Sequence, residues 1–115
     1  MTKRTVLVVD DEADIRESLR DALSDEGYAV FVAGNGKEAL ELLPGLTRPC
    51  AVILDVIMPV MSGTEFYEAM RANPSLADIP VLMSTSDPSR APSRVPVMRK
   101  PINLDRLLTA VAGLF

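Results

Sequence analysis

Five short runs of almost wholly apolar residues constrain the fold more than any other feature of the sequence. They occupy residues 5–9, 29–33, 51–54, 80–83 and 95–98. Because apolar and polar residues do not alternate within them, each run is typical of a strand buried on both faces, as in a parallel sheet. Parallel strands need long crossover connections, which helices usually supply. The runs therefore predict an α/β fold with helices between the strands.

Segments with helical spacing lie between the first four runs and after the fifth. Asn35 is followed by Glu38, and both residue types at this spacing are typical of a capping box. Ser62 and Glu65 repeat the pattern, and Gly27 predicts a helix end. The alternation favours a doubly wound sheet with right-handed crossovers. The apolar stripes are, in chain order, Ile15, Leu19, Ala22 and Leu23; Ala39, Leu40, Leu42 and Leu43; Phe66, Ala69 and Met70; and Leu104, Leu107, Leu108, Val111 and Phe115.

The fourth crossover is too short for an ordinary helix. Nine residues, 86–94, lie between Thr85 and the fifth run, and they have no apolar stripe. Two loops of about 2 to 6 residues each would leave at most about one helical turn. Pro88 and Pro92 also oppose a continuous helix. We therefore expect an irregular connection, with the fourth helix missing or reduced.

Composition and charge exclude several classes of function. The net charge is −4, from 12 basic and 16 acidic residues, and this balance argues against direct binding to nucleic acid. The sequence contains no histidine, which rules out Ser-His-Asp and Cys-His nucleophile systems and imidazole zinc sites. The single cysteine, Cys50, precedes an apolar run and is interpreted as a small buried apolar side chain. Any chemistry must depend on carboxylates, hydroxyls and lysine.

Length and hydropathy favour one domain without a membrane role. The chain has 115 residues, which suits a single domain spanning residues 1–115. No apolar run approaches the roughly 18 residues that a membrane-spanning helix needs. The run at residues 5–9 is also too short for a signal-peptide core. We therefore expect a cytoplasmic protein.

Polar residues lie within three positions after the ends of four of the predicted strands. Ligands bind at the carboxyl ends of strands in open α/β sheets, so these residues should share one site. Clustered carboxylates repel one another unless a hard cation with oxygen ligands lies among them. Mg²⁺ is commonly held by carboxylates together with phosphate oxygens, and a carboxylate can itself form an acyl phosphate. The residues are Asp10, Asp11 and Glu12 after the first run, Asp55 after the third, Thr85 after the fourth and Lys100 after the fifth.

Each of these residues also has a simpler explanation when it is taken alone. Asp11 could cap a helix, Thr85 could be a hydroxyl in a turn, and Lys100 could be a solvated surface cation. Asp55 is harder to explain by folding, since it is an acid that ends an apolar strand. The coincidence at four strand ends favours a magnesium-dependent phosphoryl site.

Together these residues resemble the receiver domains of two-component response regulators. The acidic pair of that family resembles Asp10-Asp11, and its phosphoacceptor loop resembles residues 55–63. Its switch hydroxyl resembles Thr85, and its lysine-proline pair resembles Lys100-Pro101. The resemblance covers nearly the whole chain. It implies a flavodoxin-like, five-stranded parallel sheet of order 2-1-3-4-5, in a signalling domain rather than an enzyme.

The resemblance also implies a ligand set for Mg²⁺. Asp11, Asp55 and the backbone carbonyl of Ile57 would hold the ion directly. Asp10 would hold it through a water molecule.

The resemblance further implies a phosphoryl donor and a switch. A sensor histidine kinase or a phosphotransfer protein would transfer a phosphoryl group to Asp55. Lys100 would contact that group, the Thr85 hydroxyl would move onto it, and the peptide bond before Pro101 would be cis. The switch would change the binding of an output protein that the sequence does not identify.

The chain departs from the family pattern in two places. The short fourth crossover is expected to lack or shorten the helix that many receivers use in signalling. In addition, the fifth-strand position that often carries a switching tyrosine or phenylalanine is Val97 when it is counted back from Lys100. The phosphorylation chemistry is expected to be intact, whereas its transmission is expected to be altered.

Three alternatives compete with this interpretation. A haloacid-dehalogenase-like phosphatase would carry its general acid two residues after the nucleophile, where this chain has Ile57. A flavodoxin-like carrier of FMN would need a phosphate-accepting loop after the first strand, where Asp10, Asp11 and Glu12 would repel a phosphate. The third alternative is a receiver-shaped interaction module in which phosphorylation is weak or unused.

Overall fold

Five parallel strands form a single sheet. The protein is represented by a computed structural model, which describes residues 4–93 and 95–114. The strands are β1 (Thr5–Val9), β2 (Ala29–Ala33), β3 (Ala51–Asp55), β4 (Val81–Thr85) and β5 (Val97–Arg99). Their order is β2-β1-β3-β4-β5, and every neighbouring pair is parallel. The predicted order 2-1-3-4-5 is therefore confirmed.

Four α-helices in the described residues cover the two faces of the sheet. They are α1 (Ala13–Asp25), α2 (Gly36–Leu42), α3 (Gly63–Ala72) and α4 (Leu104–Ala112), and a 3₁₀ turn, Leu43–Gly45, continues α2. Helices α2 and α3 pack on one face, and α1 and α4 pack on the other. None of the described helices is long and apolar enough to pass through a bilayer.

The predicted helix ends are confirmed in most details. Ser62 and Glu65 form a complete capping box at the start of α3. Asn35 caps α2 by accepting a hydrogen bond from the Glu38 amide at 2.9 Å, but the Glu38 carboxylate accepts from Gly34 instead. The capping box at α2 is therefore only half formed. Gly27 follows α1 with φ of 96°, a left-handed conformation that glycine adopts without steric penalty.

The central strands have the burial that their apolar sequences predict. Alternate residues of β1 point into opposite cores, since Leu7 packs with Phe66 of α3 whereas Val6 packs with Leu19 of α1. Every residue of β1, β3 and β4 is buried. Burial on both faces holds these strands between two helical layers.

The prediction that every strand is buried on both faces is wrong for the two outer strands. Strands β2 and β5 lie at the edges of the sheet, where the helical layers cover them only in part. Phe31 of β2 is 41% exposed despite its place in an apolar run. Apolarity alone does not reveal which strand lies at an edge, because strand order depends on the whole chain.

The predicted apolar stripe of the last helix is confirmed only in part. Leu107 and Val111 are fully buried, as predicted. Leu104, in contrast, is 39% exposed because it lies in the first turn, where α4 has only begun to pack on the sheet. Phe115, the last member of the predicted stripe, lies outside the described residues.

The fourth crossover contains no α-helix in its described part, which leaves out Arg94. It has one 3₁₀ turn, Pro88–Arg90, which Asp87 caps by accepting a hydrogen bond from the Ser89 amide. This confirms that the helix expected in the fourth crossover, between β4 and β5, is reduced. Strand β5 begins at Val97, two residues later than the apolar run predicts.

Candidate functional site

The carboxyl ends of four strands bring the predicted site residues to one edge of the sheet. Asp10 directly follows Val9, which pairs with Leu54, so Asp10 lies beside Asp55 at the end of β3. Asp10, Asp55 and Thr85 are buried, at 1%, 4% and 1% exposed. The topology therefore turns three separate strand ends into one pocket.

Three carboxylates meet in this pocket. One oxygen from each of Asp10, Asp11 and Asp55 lies within 4.8 Å of the others. Asp10 Oδ2 is buried and finds no hydrogen-bond donor among the described residues. This buried oxygen without a hydrogen bond, grouped with two further carboxylates, fits a hard divalent cation with oxygen ligands, such as Mg²⁺.

Within the described part of the chain, Lys100 supplies the only amino group that contacts these carboxylates. Its Nζ lies 3.0 Å from Asp10 Oδ2, 3.3 Å from Asp55 Oδ2 and 3.4 Å from Glu12 Oε1. The approach to Asp10 Oδ2 is close enough for an ion pair but is not directed as a hydrogen bond. The peptide bond between Lys100 and Pro101 is cis, as the resemblance implies.

Opposing effects set the pKa of Lys100. Burial alone would lower it, but the adjacent carboxylates of Asp10 and Asp55 outweigh this effect and hold the pKa above its ordinary value. Lys100 is therefore a permanent cation in the pocket at neutral pH.

The carboxyl group of Asp55 is strongly perturbed. Burial and the neighbouring charge of Asp10 raise its pKa to about 7, and a hydrogen bond that the protonated Asp55 carboxyl donates to the Asp11 side chain acts in the same direction. Lys100 and the backbone amide of Ile57 lower the pKa but do not offset these effects. A carboxyl group that ionises near neutrality is typical of functional sites.

The loop after β3 is held closely against that strand. The Gly63 amide donates a hydrogen bond to the Val56 carbonyl at 2.9 Å. A Cβ atom at Gly63 would lie 2.0 Å from the Asp55 carbonyl oxygen, so only glycine fits at the start of α3. The Ile57 amide donates to Asp55 Oδ1 at 3.3 Å, while the Ile57 side chain is 42% exposed. The backbone of Ile57 thus belongs to the site, and its side chain lies at the mouth.

Val60 has an unusual conformation in the same loop. Its φ is 68°, its side chain is 76% exposed, and the Met61 amide donates to the Pro59 carbonyl at 2.7 Å across it. These features describe a tight γ-turn, which is strained for a β-branched residue. A Cβ at Gly36 would lie 2.8 Å from Met61 Cγ, so α2 packs closely on the loop. This turn was not predicted from the sequence.

Thr85 ends β4 but does not hydrogen-bond to Asp55. Its Oγ1 accepts from the Asp87 amide at 3.1 Å and contacts the Asp87 carbonyl at 3.4 Å. The Asp87 carboxylate accepts hydrogen bonds from the hydroxyl and amide of Ser89, which hold its pKa below the ordinary value. The Thr85 hydroxyl is thereby connected to the fourth crossover.

Two further residues contribute to the pocket: Glu12, which the sequence placed beside Asp10-Asp11 without a specific role, and Arg16, which was not predicted. The carboxylate of Glu12 lies near Lys100, and its place after Asp10-Asp11 was the available signal. Arg16 Nη1 donates to the Asp10 carbonyl oxygen at 2.7 Å. The sequence carries no motif that indicates this contact, except that a basic residue is unusual at the start of a helix.

Related sequences share this site region. The sequence model of the response regulator receiver domain family matches residues 6–112. Response regulator MprA of Mycobacterium leprae (strain TN) is 38% identical over 117 aligned positions, which cover 95% of the chain and 50% of that protein. MprA of Mycolicibacterium vanbaalenii is 46% identical over 81 residues, which cover 70% of the chain and 34% of that protein. The alignments therefore span only a third to a half of these curated relatives.

Solved structures with known roles share the fold. Chemotaxis protein CheY4 of Vibrio cholerae has a TM-score of 0.87 and 34% identity, covering 99% of this chain and 100% of that one. Response regulator protein TrrA of Thermotoga maritima, solved in complex with Mg(2+)-BeF, has a TM-score of 0.85 and 32% identity, covering 97% and 99% of the two chains. These findings favour the receiver interpretation over a phosphatase or a flavin carrier. With the family match extending from β1 to the end of α4, the chain belongs to the response regulator receiver domain family of two-component signalling systems.

Proposed function

We propose that Asp55 accepts a phosphoryl group in a Mg²⁺-dependent reaction and that this modification changes the binding of a partner. The observation that carries the proposal is the meeting of the Asp10, Asp11 and Asp55 carboxylates with Lys100 at one edge of the sheet. Receiver domains are signalling domains, and this pocket has the chemical groups that an aspartyl phosphate needs.

The proposed metal ligands are Asp11, Asp55 and the backbone carbonyl of Ile57, with Asp10 acting through water. The unsatisfied Asp10 Oδ2 and the grouped carboxylates support this assignment. When bound, Mg²⁺ would supply positive charge to phosphoryl oxygens and to the carboxylates around them. The TrrA structure, a complex with Mg(2+)-BeF, supports the same chemistry in a protein of this fold.

The proposed donor is a phosphohistidine of a sensor histidine kinase or phosphotransfer protein. An Asp55 carboxylate oxygen attacks phosphorus, the phosphorus–nitrogen bond breaks, and its electron pair stays on the imidazole. Lys100 Nζ, already 3.3 Å from Asp55 Oδ2, contacts the oxygens of the incoming group and offsets their charge. Asp55 must be ionised to attack, and neutralisation by cations favours that state.

Thr85 is the proposed switch residue. Its hydroxyl would exchange its contacts with Asp87 for the phosphoryl group. Because those contacts anchor the start of the fourth crossover, the exchange would reach residues 86–93 directly. An output protein that recognises this segment would then distinguish the two states. We also propose that residues 1–115 act as a single cytoplasmic receiver domain.

Labelling with a small phosphodonor tests the central proposal. The wild-type chain, incubated with acetyl phosphate and Mg²⁺, should gain one phosphoryl group in intact-mass spectrometry, and Asp55→Asn should gain none. Asp87→Asn is a matched control, since it removes a carboxylate outside the cluster. Equal labelling of Asp55→Asn, or labelling that EDTA does not reduce, would contradict the proposal.

A receiver-shaped interaction module is the second candidate. It is favoured by the reduced fourth crossover and by Val97, which replaces the usual aromatic residue. In that case a partner would bind the unmodified chain, and binding would be the same for the wild type and Asp55→Asn. A wild-type chain that remains unlabelled by acetyl phosphate would support this candidate over the first.

A further inference from the structure

Arg16 makes a specific contact with the backbone of the acidic pocket. It lies near the start of α1 and is half buried. Its Nη1 donates a hydrogen bond of 2.7 Å to the carbonyl oxygen of Asp10. This contact joins a helix to the strand end that carries two of the three clustered carboxylates.

The Asp10 carbonyl needs such a donor. Asp10 is 1% exposed and lies beyond Val9, the last residue of β1 that pairs with β3. The Asp10 amide is already bonded to the Ala33 carbonyl of β2 at 3.1 Å. A buried carbonyl beyond the paired part of the strand needs another hydrogen-bond donor, and the Arg16 guanidinium supplies one.

Helix stability does not explain the position of Arg16. The N-terminal end of a helix carries partial positive charge, so a basic side chain is disfavoured there. The connection between β2 and α2 packs against the guanidinium, because a Cβ at Gly34 would lie 3.4 Å from Arg16 Nη1. An unfavourable charge position combined with a short, partly buried contact indicates a role in the site.

Three hydrogen bonds fix the orientation of Asp10. The Asp10 amide donates to the Ala33 carbonyl, and the Asp10 carbonyl accepts from Arg16. Asp10 Oδ1 accepts from the Glu12 amide at 2.9 Å. Only Oδ2 is left without a hydrogen bond among the described residues, and it faces Lys100 at 3.0 Å. We infer that Arg16 is a positioning residue, which holds the Asp10-Asp11 backbone in the conformation that binds the divalent cation. This inference rests on the proposed function.

The direction in which Arg16→Met changes the affinity for Mg²⁺ distinguishes a positioning role from a purely electrostatic one. Arg16→Met removes a positive charge near a cation site, so a purely electrostatic role predicts tighter Mg²⁺ binding. Loss of positioning predicts weaker binding, by about tenfold, as when partners that orient metal ligands are removed. Isothermal titration of the full chain with MgCl₂ at constant ionic strength measures the change. Arg16→Lys keeps a donor and the charge, and it should bind Mg²⁺ more tightly than Arg16→Met.

A metal-free measurement complements the titration. In Arg16→Met without Mg²⁺, amide exchange measured by NMR should become faster at Glu12, whose amide is bonded to Asp10 Oδ1. The matched control is Arg20→Met, which removes an exposed arginine from the next turn of α1 and should change neither result.

The outcomes distinguish this inference from the function on which it rests. Wild-type affinity or tighter binding in Arg16→Met, with the wild type binding normally, would overturn the inference alone. Failure of the wild type to bind Mg²⁺ would overturn the proposed function and the inference together. Weaker binding in Arg16→Met, with partial recovery in Arg16→Lys, supports it.

Discussion

Lys100 Nζ lies 3.3 Å from Asp55 Oδ2, so the cation of the pocket is in direct contact with the proposed phosphoacceptor. This contact does not keep Asp55 ionised at low pH, because burial and Asp10 raise the pKa of Asp55 to about 7. The balance between one lysine and several carboxylates has consequences for stability as well as for chemistry.

The first prediction concerns the pH dependence of stability without Mg²⁺. The folded-state pKa of Asp55 lies above the ordinary value of 3.8, so the folded protein binds more protons than the unfolded chain between these values. Asp55 therefore stabilises the fold at low pH, and this contribution is lost as pH rises through about 7. At pH of about 8, Asp55→Asn should exceed the wild type in free energy of unfolding by roughly 1 to 3 kcal/mol.

Urea denaturation from pH about 5 to pH about 8 measures this difference. It should grow with pH and become small when excess Mg²⁺ is present. A difference between the two proteins that does not change with pH would contradict the assigned pKa. Asp87→Asn serves as the control, since Asp87 is exposed and lies outside the carboxylate cluster.

The second prediction concerns the lifetime of the phosphorylated state. Ile57 lies at the mouth of the pocket, two residues after Asp55, and should hinder attack by water. Ile57→Asn should shorten the lifetime at least about threefold, a change of roughly 0.7 kcal/mol in the barrier. Because Ile57 is 42% exposed, the substitution should have little effect on folding.

Decay of the labelled protein, followed by mass spectrometry after removal of the phosphodonor, measures this lifetime. Val60→Asn is the control, since it places the same side chain in the same loop at an exposed position. The Asp87 carboxylate has an opposing effect, because it could orient a water molecule for attack on the phosphoryl group. Its Oδ1, however, already accepts hydrogen bonds from Ser89. An Ile57→Asn variant that decays no faster than the wild type would remove the basis for the shielding role.

The third prediction separates transmission through Thr85 from transmission through β5. Thr85 is bonded to Asp87, whereas Val97 carries a small, stiff side chain without a hydroxyl. Thr85→Ala should abolish the response of residues 86–93 to phosphorylation. Val97→Ala should leave that response intact and lower the free energy of unfolding by about 1 to 3 kcal/mol through a cavity.

Amide chemical shifts on addition of Mg²⁺ and beryllofluoride would report the response. In the wild type we expect changes at Ser86 and Asp87 and in the 3₁₀ turn. Changes confined to β5 and α4, with residues 86–93 unaffected, would rule out this route.

The fourth prediction tests the strain at Val60. With φ of 68° and 76% exposure, Val60 has a disfavoured backbone conformation and little packing to offset it. Val60→Gly should raise the free energy of unfolding by about 1 kcal/mol, because relief of the strain exceeds the entropy that glycine adds to the unfolded chain. Val60→Ala, which keeps a Cβ, should gain less. Equal destabilisation in both variants would show that the Val60 side chain stabilises the loop.

Much of the fold follows from local patterns that the sequence displays directly. Unbroken apolar runs predicted strands β1 to β4 within two residues, and burial on both faces accounts for such runs in β1, β3 and β4. The caps at Asn35 and Ser62 were also predictable, because a capping residue acts only on amides two or three positions away. Strand ends are also local features of the sequence. Asp10, Asp55, Thr85 and Lys100 could therefore be predicted as site residues without the distances between them.

Other properties were decided by the tertiary structure alone. The exposure of Phe31 depends on strand order, which brings distant segments together and leaves β2 at an edge. The pKa of Asp55 depends on burial and on a carboxylate 45 positions earlier in the chain, at Asp10. The contact of Arg16 with the Asp10 carbonyl arises only when α1 packs beside the end of β1. Chain patterns determine which residues meet at the sheet edge, but distance and burial in the folded protein determine their charge, strain and orientation.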